Sequence, residues 1–377
     1  MLYIHIPFCQ QRCIYCDFYS TTQSLDKAIA YIQAVENEMR YRCKELPSTL
    51  LSSVYVGGGT PSQLPQEGIQ QLFKAIRTHF TIAEGAEITF EANPDDITSE
   101  LIDVLISEGV NRISLGIQSF NDKQLKLLHR RHSSAQAIEA VQLIHNKGIP
   151  HISIDLIYGQ PQQTIENWRE DLQTALSLPI DHLSSYALSV EEETPLQGLL
   201  KSKKLSLPTD EETLGMFQLL CETTRQHGYL HYEISNFCLP NAHSRHNSGY
   251  WQSRPYLGIG PGAHSYDGTS RHFNPMNLND YIANQGLPQR TTEVLTRAEQ
   301  CNDFVFTALR TSDGLNMNQL KLKFGNDYAS HVQEWAMPHI AHEHLTLTDN
   351  ILRLTEKGIF VSNDVISDLM HLEDEDK

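Results

Sequence analysis

The segment His5-Ile-Pro-Phe-Cys9-Gln-Gln-Arg-Cys13-Ile-Tyr-Cys16-Asp-Phe18 follows an alternating, strand-like run and places three cysteines in one loop. Thiolates are soft, charged donors that suit iron–sulfur clusters. Three thiolates on a cluster of four irons leave one iron without a protein ligand, and that open iron makes such a site reactive. The loop therefore predicts a 4Fe–4S cluster on Cys9, Cys13 and Cys16.

Two alternatives to the cluster are a zinc site and a set of ordinary buried cysteines. Structural zinc sites usually take four ligands, often as two pairs. The other four cysteines are isolated in the sequence and offer no second pair, so we expect them to be inert core residues. They are Cys43, Cys221, Cys238 and Cys301.

Short apolar runs alternate with amphipathic helices through the first half of the chain. Such alternation predicts a parallel sheet with right-handed crossovers, hence an α/β fold. Six units are fewer than the eight of a closed barrel, so we expect an open, partial (β/α)6 barrel. Ser133 and Thr164 are expected to cap two of the helices. The predicted strands are residues 2–7, 53–56, 87–91, 112–117, 151–157 and 183–190.

The pattern changes after the sixth strand and divides the chain into four predicted segments. Residues 1–190 form the barrel, and residues 191–295 complete it. Residues 296–370 read as a small helical, winged-helix-like domain, with a hairpin of strands 345–348 and 351–355 around Asp349-Asn350. Residues 371–377 read as a solvated acidic tail.

Bulk composition restricts the class of partner and the compartment. The formal net charge is −17 and no basic patch stands out, which argues against nucleic acid. No apolar stretch reaches membrane-spanning length, so we expect no membrane insertion. The start of the chain does not resemble a signal peptide, and clustered cysteines are typical of metal or redox chemistry in a reducing compartment, so we expect a cytoplasmic protein.

The cysteine loop, with Tyr15 before its last cysteine, resembles the radical-SAM superfamily. In that superfamily a reduced cluster cleaves S-adenosylmethionine (SAM) to methionine and a 5′-deoxyadenosyl radical. The run Val54-Tyr-Val-Gly-Gly-Gly-Thr60-Pro61 follows the second predicted strand, where glycines let backbone N–H groups approach a ligand. The resemblance implies a radical-SAM barrel and SAM contacts from Gly58, Gly59 and Thr60.

Four further motifs carry polar residues at or just after predicted strand ends. They are Phe90-Glu91-Ala-Asn-Pro94, Leu115-Gly-Ile-Gln118-Ser-Phe120, Leu128-His-Arg130-Arg-His132 and Ile154-Asp155-Leu-Ile-Tyr-Gly159. Together they resemble oxygen-independent coproporphyrinogen III dehydrogenases (HemN) and the paralogous HemW haem chaperones, over residues 3–363. The resemblance implies a SAM pocket lined by Tyr3, Tyr15, Glu91, Gln118, Arg130, Asp155 and Ala187.

Two features separate the chaperones from the dehydrogenases. The dehydrogenase carries a cysteine where this chain has Phe18, and the chaperone-like proteins read Cys-Asp-Phe there, as this chain does. His246-Asn-Ser-Gly-Tyr250-Trp251 matches the HNxxYW motif of the chaperones. Neutral imidazole can ligate haem iron, and aromatic side chains pack on a macrocycle. The resemblance implies a haem site at His246, Tyr250 and Trp251, although His243 and His264 are alternative ligands.

The expected function is therefore that of a haem chaperone, which binds haem and passes it to an acceptor protein, expected to be respiratory and membrane-associated. Three cofactors are implied, a 4Fe–4S cluster, SAM and haem. The alternative is radical oxidative decarboxylation of coproporphyrinogen III, and a radical enzyme with another substrate is a third possibility. The missing cysteine at Phe18 counts against the dehydrogenase.

Overall fold

A computed structural model describes residues 1–22 and 25–370. The strands are β1 (Leu2–Ile6), β2 (Leu50–Gly58), β3 (Thr81–Ala92), β4 (Arg112–Gln118), β5 (His151–Tyr158), β6 (His182–Ala187), β7 (Leu230–Glu233), β8 (Asn236–Cys238), β9 (Leu257–Ile259), β10 (His264–Tyr266), β11 (Ser270–Phe273), β12 (Thr291–Val294), β13 (Leu315–Asn316), β14 (Leu345–Thr348) and β15 (Ile351–Leu354).

The helices fill the connections between the early strands and dominate the last third of the chain. They are α1 (Ala28–Arg42), α2 (Gln66–His79), α3 (Ser99–Ser107), α4 (Asp122–Leu127), α5 (Ser134–Asn146), α6 (Ile165–Ser177), α7 (Pro195–Lys201), α8 (Asp210–Gln226), α9 (Arg245–Trp251), α10 (Leu278–Ala283), α11 (Arg297–Leu309), α12 (Met317–Phe324), α13 (Asn326–Ala341), α14 (Glu356–Phe360) and α15 (Ser362–Asp368). None of the helices in the described ranges is long and apolar enough to cross a bilayer.

Nine strands form the main sheet, in the order β7-β8-β6-β5-β4-β3-β2-β1-β9. Strands β1 to β6 are parallel and lie side by side in chain order, which confirms the predicted α/β fold and partial barrel. The segment after β6 extends both edges of the sheet. Strand β9 pairs with β1 in parallel, whereas β8 pairs with β6 antiparallel.

The two faces of the six parallel strands differ in chemistry. On β3, Ile88 and Phe90 belong to the apolar core between sheet and helices, while Thr89 and Glu91 line cavities on the concave face. This alternation follows from the two-residue period of a strand. The barrel interior is therefore polar, and the hydrophobic core lies between the outer face of the sheet and its helices.

Helix starts match the expected caps. The Ser133 hydroxyl accepts the backbone N–H of Gln136 at the start of α5, and the Thr164 hydroxyl accepts that of Asn167 at the start of α6. In both helices the third residue returns a hydrogen bond to the cap, which completes a capping box. Both predicted caps are confirmed.

The C-terminal segment has its own core, with Val305, Leu320 and Leu352 fully buried. Three helices precede the hairpin β14–β15, and β13 pairs with β15 to form a small three-stranded sheet. Asp349 and Asn350 adopt φ values of 52° and 60°, as a tight two-residue hairpin turn requires. This arrangement confirms the predicted winged-helix-like architecture. The exact segment boundaries stay predictions, and the predicted tail at 371–377 lies outside the described residues.

Candidate functional site

The cysteine loop leaves β1 and is fixed by the backbone at both ends. The Cys9 N–H donates to the Thr21 carbonyl at 3.0 Å, and the Thr21 N–H donates to the Pro7 carbonyl at 2.7 Å. The side chains of Phe8 and Ile14 are buried, so the loop is also anchored by packing. The three predicted cluster ligands thereby face one cavity at the carboxyl end of the strands, which we call the cluster cavity; its volume is about 450 Å³.

The glycine run at the end of β2 packs directly against this loop. The Gly59 N–H donates to the Ile6 carbonyl at 2.7 Å. A Cβ atom on Gly59 would lie 2.9 Å from the carbonyl oxygens of Ile6 and Phe8, so any side chain there would push the loop away from β2. Gly58 has a φ of 111°, a conformation that L side chains rarely adopt.

Twelve predicted site residues line the cluster cavity. They are Cys9, Cys13, Tyr15, Cys16, Gly58, Gly59, Thr60, Glu91, Gln118, Arg130, Asp155 and Ala187. Gln118 reaches its place through a left-handed backbone conformation, with a φ of 70°, beside an irregularity in the pairing of β4 with β5. Such strain in a non-glycine residue is common at functional sites.

Arg130 connects the cysteine loop to the ends of β3 and β4. Its Nη1 lies 3.4 Å from the Cys13 Sγ, and its Nη2 donates to the Asn93 Oδ1 at 2.7 Å and to the Gly116 carbonyl. Its buried Nε has no partner among the described residues, which leaves one donor of the guanidinium for a bound molecule. Asn93 follows Glu91 by two residues in the quoted motif, but only the fold shows that it holds the arginine.

Two carboxyl groups face each other across the cavity. Glu91 accepts from the Tyr55 hydroxyl at 2.6 Å and from the Gly58 N–H at 3.0 Å. Burial, helped by the nearby Asp155, raises the pKa of Glu91 to about 7. Burial likewise raises the pKa of Asp155 to about 6, against hydrogen bonds from Ser184 and Ser114. Near neutral pH these groups can therefore pass between the neutral and the ionised form.

The residues present fit a cluster and SAM. Burial raises the pKa of Cys9, and it raises that of Cys16 to about 11. The surrounding protein therefore offers these thiolates too little positive charge to offset their burial. Iron would supply that charge. No group of three or more His, Cys, Asp or Glu in the described ranges converges on a single ion; a cubane does not require this, since each thiolate binds a different iron.

A second cavity of about 310 Å³, the inner cavity, lies inside the barrel next to the cluster cavity. Tyr3, expected in the SAM pocket, lines this second cavity instead, and its hydroxyl lies 2.9 Å from the His5 Nδ1. Six residues line both cavities, namely Phe18, Tyr55, Glu91, Ser114, Ser184 and Tyr186. Tyr3 therefore lies in a cavity that shares a wall with the predicted SAM pocket.

Helix α9, which carries the HNxxYW residues, forms one wall of the inner cavity. Glu87 of β3 accepts the backbone N–H groups of Arg245 and His246 at 3.0 and 2.9 Å, as a carboxylate at a helix N-terminus should. The same carboxylate is ion-paired with the Nε of Arg112 at 3.0 Å, and both side chains are buried. This buried pair attaches α9 to the barrel.

The ring of His246 is fully engaged. Its Nδ1 lies 2.8 Å from the Ser53 Oγ, and its Nε2 lies 2.9 Å from the Tyr250 hydroxyl. The side chain is 1% exposed, and burial lowers its pKa to about 3, so the imidazole is neutral. Neutral imidazole is the form that binds iron, but neither nitrogen is free to do so in this arrangement. Of the alternative histidines, His264 is exposed and His243 is half-buried against Tyr232.

A third cavity, the aromatic cavity, lies on the other side of α9, between the barrel and the C-terminal domain. Its volume is about 480 Å³. Tyr250 contributes to the walls of both the inner and the aromatic cavity, and Trp251 lines the aromatic cavity. The HNxxYW helix thus separates a polar cavity from an aromatic one. The sequence pattern carried no signal for the aromatic cavity, because its walls come from α9, β10, β11 and α11 and from residues outside these elements.

Comparison with known proteins places this arrangement in a family. Residues 3–175 match the model of the radical SAM superfamily, and residues 295–361 match that of the HemN C-terminal domain. The solved structure of coproporphyrinogen III oxidase (HemN) from Escherichia coli, a radical SAM enzyme, superimposes with a TM-score of 0.85 at 24% identity, over 98% of this chain and 89% of that one. That likeness confirms the fold.

Relatives along the whole chain define the family more narrowly. The haem chaperone HemW of Bacillus subtilis is 33% identical over 96% of this chain and 97% of its own length. The haem chaperone HemW of Lactococcus lactis is 34% identical over 96% and 95%, and that of Escherichia coli is 36% identical over 70% and 69%. With both family models matched and such relatives covering almost all of it, the chain belongs to the HemW family of haem chaperones within the radical-SAM superfamily.

Proposed function

We propose that this chain binds haem and passes it to an acceptor protein while carrying a 4Fe–4S cluster and SAM. The observation that carries the proposal is the position of α9. This helix bears His246, Tyr250 and Trp251, and it stands between the aromatic cavity and the inner cavity, which shares walls with the cluster cavity. An apolar ligand in the aromatic cavity would thus be separated from the cluster by α9 and the inner cavity. Similarity to proteins named haem chaperones supports the same function.

The residues of the cluster cavity have separate tasks in this proposal. Cys9, Cys13 and Cys16 would hold the cluster. Arg130, with its free Nε donor, suits the SAM carboxylate, because a planar guanidinium pairs well with a carboxylate. Glu91 and Asp155 would bond the amino group or the ribose hydroxyls of SAM. When bound, the cluster and SAM supply one-electron chemistry.

The acceptor and the compartment belong to the same proposal. We propose a haem-requiring respiratory protein at the membrane as acceptor, and the cytoplasm as the place where this chain works. The seven cysteines are free thiols, as a reducing compartment favours.

The test is an anaerobic haem titration of protein with a reconstituted cluster, followed by absorbance. We expect saturation near one haem per chain. Mixing the loaded protein with haem-free globin, as a generic acceptor, should then transfer haem faster than it is released to buffer alone. Heat-unfolded protein is the control for nonspecific haem adsorption.

A protein with an intact cluster and no saturable haem binding would overturn the proposal. Binding without any acceleration of transfer to globin would restrict the function to haem storage. An anaerobic assay with coproporphyrinogen III, read as formation of protoporphyrinogen IX, would then test the enzyme alternative.

A further inference from the structure

The aromatic cavity differs from the other two in its lining. Half-buried rings of Tyr250, Trp251, Tyr256, Tyr266 and Phe306 line it, together with Met370. Ligand sites are usually concave, mostly apolar and aromatic, and of about 300–1,000 Å³. The cavity, at about 480 Å³, has that size and that composition. Flat rings on several sides suit a flat, apolar macrocycle better than they suit the polar SAM molecule.

Two donor groups near this cavity lack partners. The indole Nε1 of Trp251 and the Nε of Arg310 are buried without a hydrogen bond among the described residues. The Arg310 guanidinium lies over the rings of Trp251 and Phe306, 5.5 and 5.0 Å from their centres. A fully satisfied structural interface would not leave an indole N–H unpaired at its edge.

The hydroxyl groups of the three cavity tyrosines differ in their availability. The Tyr250 hydroxyl is bonded to His246, and the Tyr266 hydroxyl donates to the Gly268 carbonyl at 2.8 Å. The Tyr256 hydroxyl has no hydrogen bond to any residue in the described ranges, although its ring packs edge-on against Tyr250 at 4.7 Å. Tyr256 is therefore the tyrosine of this cavity with an oxygen available to a ligand.

Arg271 lines the cavity together with Tyr256, and two carboxylates balance its charge. It forms a bidentate pair with Asp303 at 2.5 Å and a longer contact with Glu293 at 3.5 Å. Burial, helped by Tyr266 and Asp303, raises the pKa of the Tyr256 phenol, and the Arg271 guanidinium opposes this rise only in part. Ferric haem iron binds the phenolate, and the iron itself would supply the charge that stabilises it.

We propose that the aromatic cavity holds the haem, with Tyr256 and not His246 as the ligand of the ferric iron. The inference rests on the proposed function, since it locates the haem that the chain is proposed to carry. On binding, the O–H bond of Tyr256 breaks, its proton leaves to solvent, and an Fe–O bond forms without any change in oxidation state. His246 then has a positioning role, because it holds the Tyr250 ring between the two cavities.

The experiment compares two substitutions that each remove one hydroxyl from one cavity. Tyr256→Phe changes the aromatic cavity, and Thr89→Val changes the inner cavity, where the Thr89 hydroxyl has no partner. Ferric haem is titrated into each variant and into wild-type protein with reconstituted cluster. We expect Tyr256→Phe to shift the haem absorbance bands and to weaken binding at least tenfold, while Thr89→Val behaves as wild type.

Two further variants test the location of the haem and the identity of its iron ligand separately. Thr307→Trp should fill the aromatic cavity and prevent saturable haem binding, while an unchanged iron content shows that the cluster domain is folded. His246→Gln should leave the positions of the haem bands unchanged, since its side chain is not the ligand in this proposal.

The outcomes separate this inference from the proposed function. Wild-type protein that binds no haem would overturn both. Wild-type binding that survives Tyr256→Phe and Thr307→Trp but loses its spectral signature in His246→Gln would overturn the inference and keep the proposed function. Shifted bands and weakened binding in Tyr256→Phe, no saturable binding in Thr307→Trp and unchanged band positions in His246→Gln would together support it.

Discussion

Thr89 and Phe90 are neighbours in the chain, yet they belong to different parts of the protein. The side chain of Phe90 is fully buried in the core between sheet and helices, whereas that of Thr89 faces the inner cavity with an unsatisfied hydroxyl. The same division runs across β1 to β6. This division shows that the packed outer face of the sheet stabilises the fold. The inner face can therefore carry polar, incompletely paired groups at the ligand cavities.

The largest effect should come from the cysteine loop at the mouth of the inner face. Replacing Cys13 with Ser should abolish the cluster, because two thiolates cannot retain four irons against solvent. The brown absorbance and the iron content should fall to background after anaerobic reconstitution. Cys43→Ser, a change at a cysteine away from the cavity, is the matched control and should keep both.

The unfolding midpoint of the Cys13 variant sharpens the comparison. If the inner face carries function and little stability, the cluster-free forms of Cys13→Ser and of wild-type protein should unfold at the same denaturant concentration. A marked loss of stability in the cluster-free variant would mean that the loop also supports the core.

The pair Thr89 and Phe90 tests the two faces within one strand. Phe90→Ala should destabilise the protein by about 3–5 kcal/mol, as for other large-to-small changes in a packed core. Thr89→Val should change the free energy of unfolding by less than about 1 kcal/mol, since the hydroxyl it removes is unpaired. Urea unfolding of both variants provides the measurement, and equal losses would contradict the division.

Arg112 is a residue of the inner face that we expect to contribute strongly to stability, as an exception to the division between the two faces. Arg112→Met leaves the buried Glu87 carboxylate without its cation, and we expect a loss of about 3–5 kcal/mol. The control is Arg225→Ala, which removes an exposed ion pair with Glu356 and should cost less than about 1 kcal/mol. Similar small effects in both variants would show that Glu87 needs only the backbone donors of α9.

The smallest predicted effect concerns SAM binding and pH. The raised pKa values of Glu91, about 7, and Asp155, about 6, mean that both carboxyls lose protons as the pH rises through this range. An ionised carboxylate attracts the cationic SAM, so its affinity should increase roughly tenfold from pH 6 to pH 8. Isothermal titration calorimetry of SAM into the reconstituted protein at pH 6 and at pH 8 measures this affinity.

Glu91→Gln separates this carboxylate from the titration of SAM itself. The variant should bind SAM with a flatter pH dependence over the same interval. A pH profile identical to that of wild-type protein would assign the effect to the SAM amino group and not to the cavity.

Local patterns predicted much of the fold. Short apolar runs between amphipathic helices identified β1 to β6, and the capping residues Ser133 and Thr164 located two helix starts, because these signals depend on neighbours in the chain. The turn at Asp349-Asn350 was visible for the same reason. Strand ends were less accurate: residues 53–56 were predicted where β2 runs from Leu50 to Gly58.

The parts of the site that come from a contiguous motif were predictable from the sequence. The parts that depend on how distant segments pack together were less predictable. The cysteine loop and the glycine run face one cavity as expected. The surroundings of His246 were not foreseeable, because its partners Ser53 and Glu87 lie more than 150 residues away in the chain. Only the packing of α9 on the barrel shows that both ring nitrogens are engaged, and that the aromatic side of the same helix faces another cavity.

The place of β1 in the sheet has a consequence for synthesis on the ribosome. Strand β1 lies between β2 and β9, so one of its edges is unpaired until Leu257–Ile259 has been translated. At about 5–20 residues per second, the nascent chain would keep that edge open for roughly ten to fifty seconds. An open strand edge invites pairing with other chains. Slow translation before β9 should therefore lower the yield of native protein more than slow translation after it.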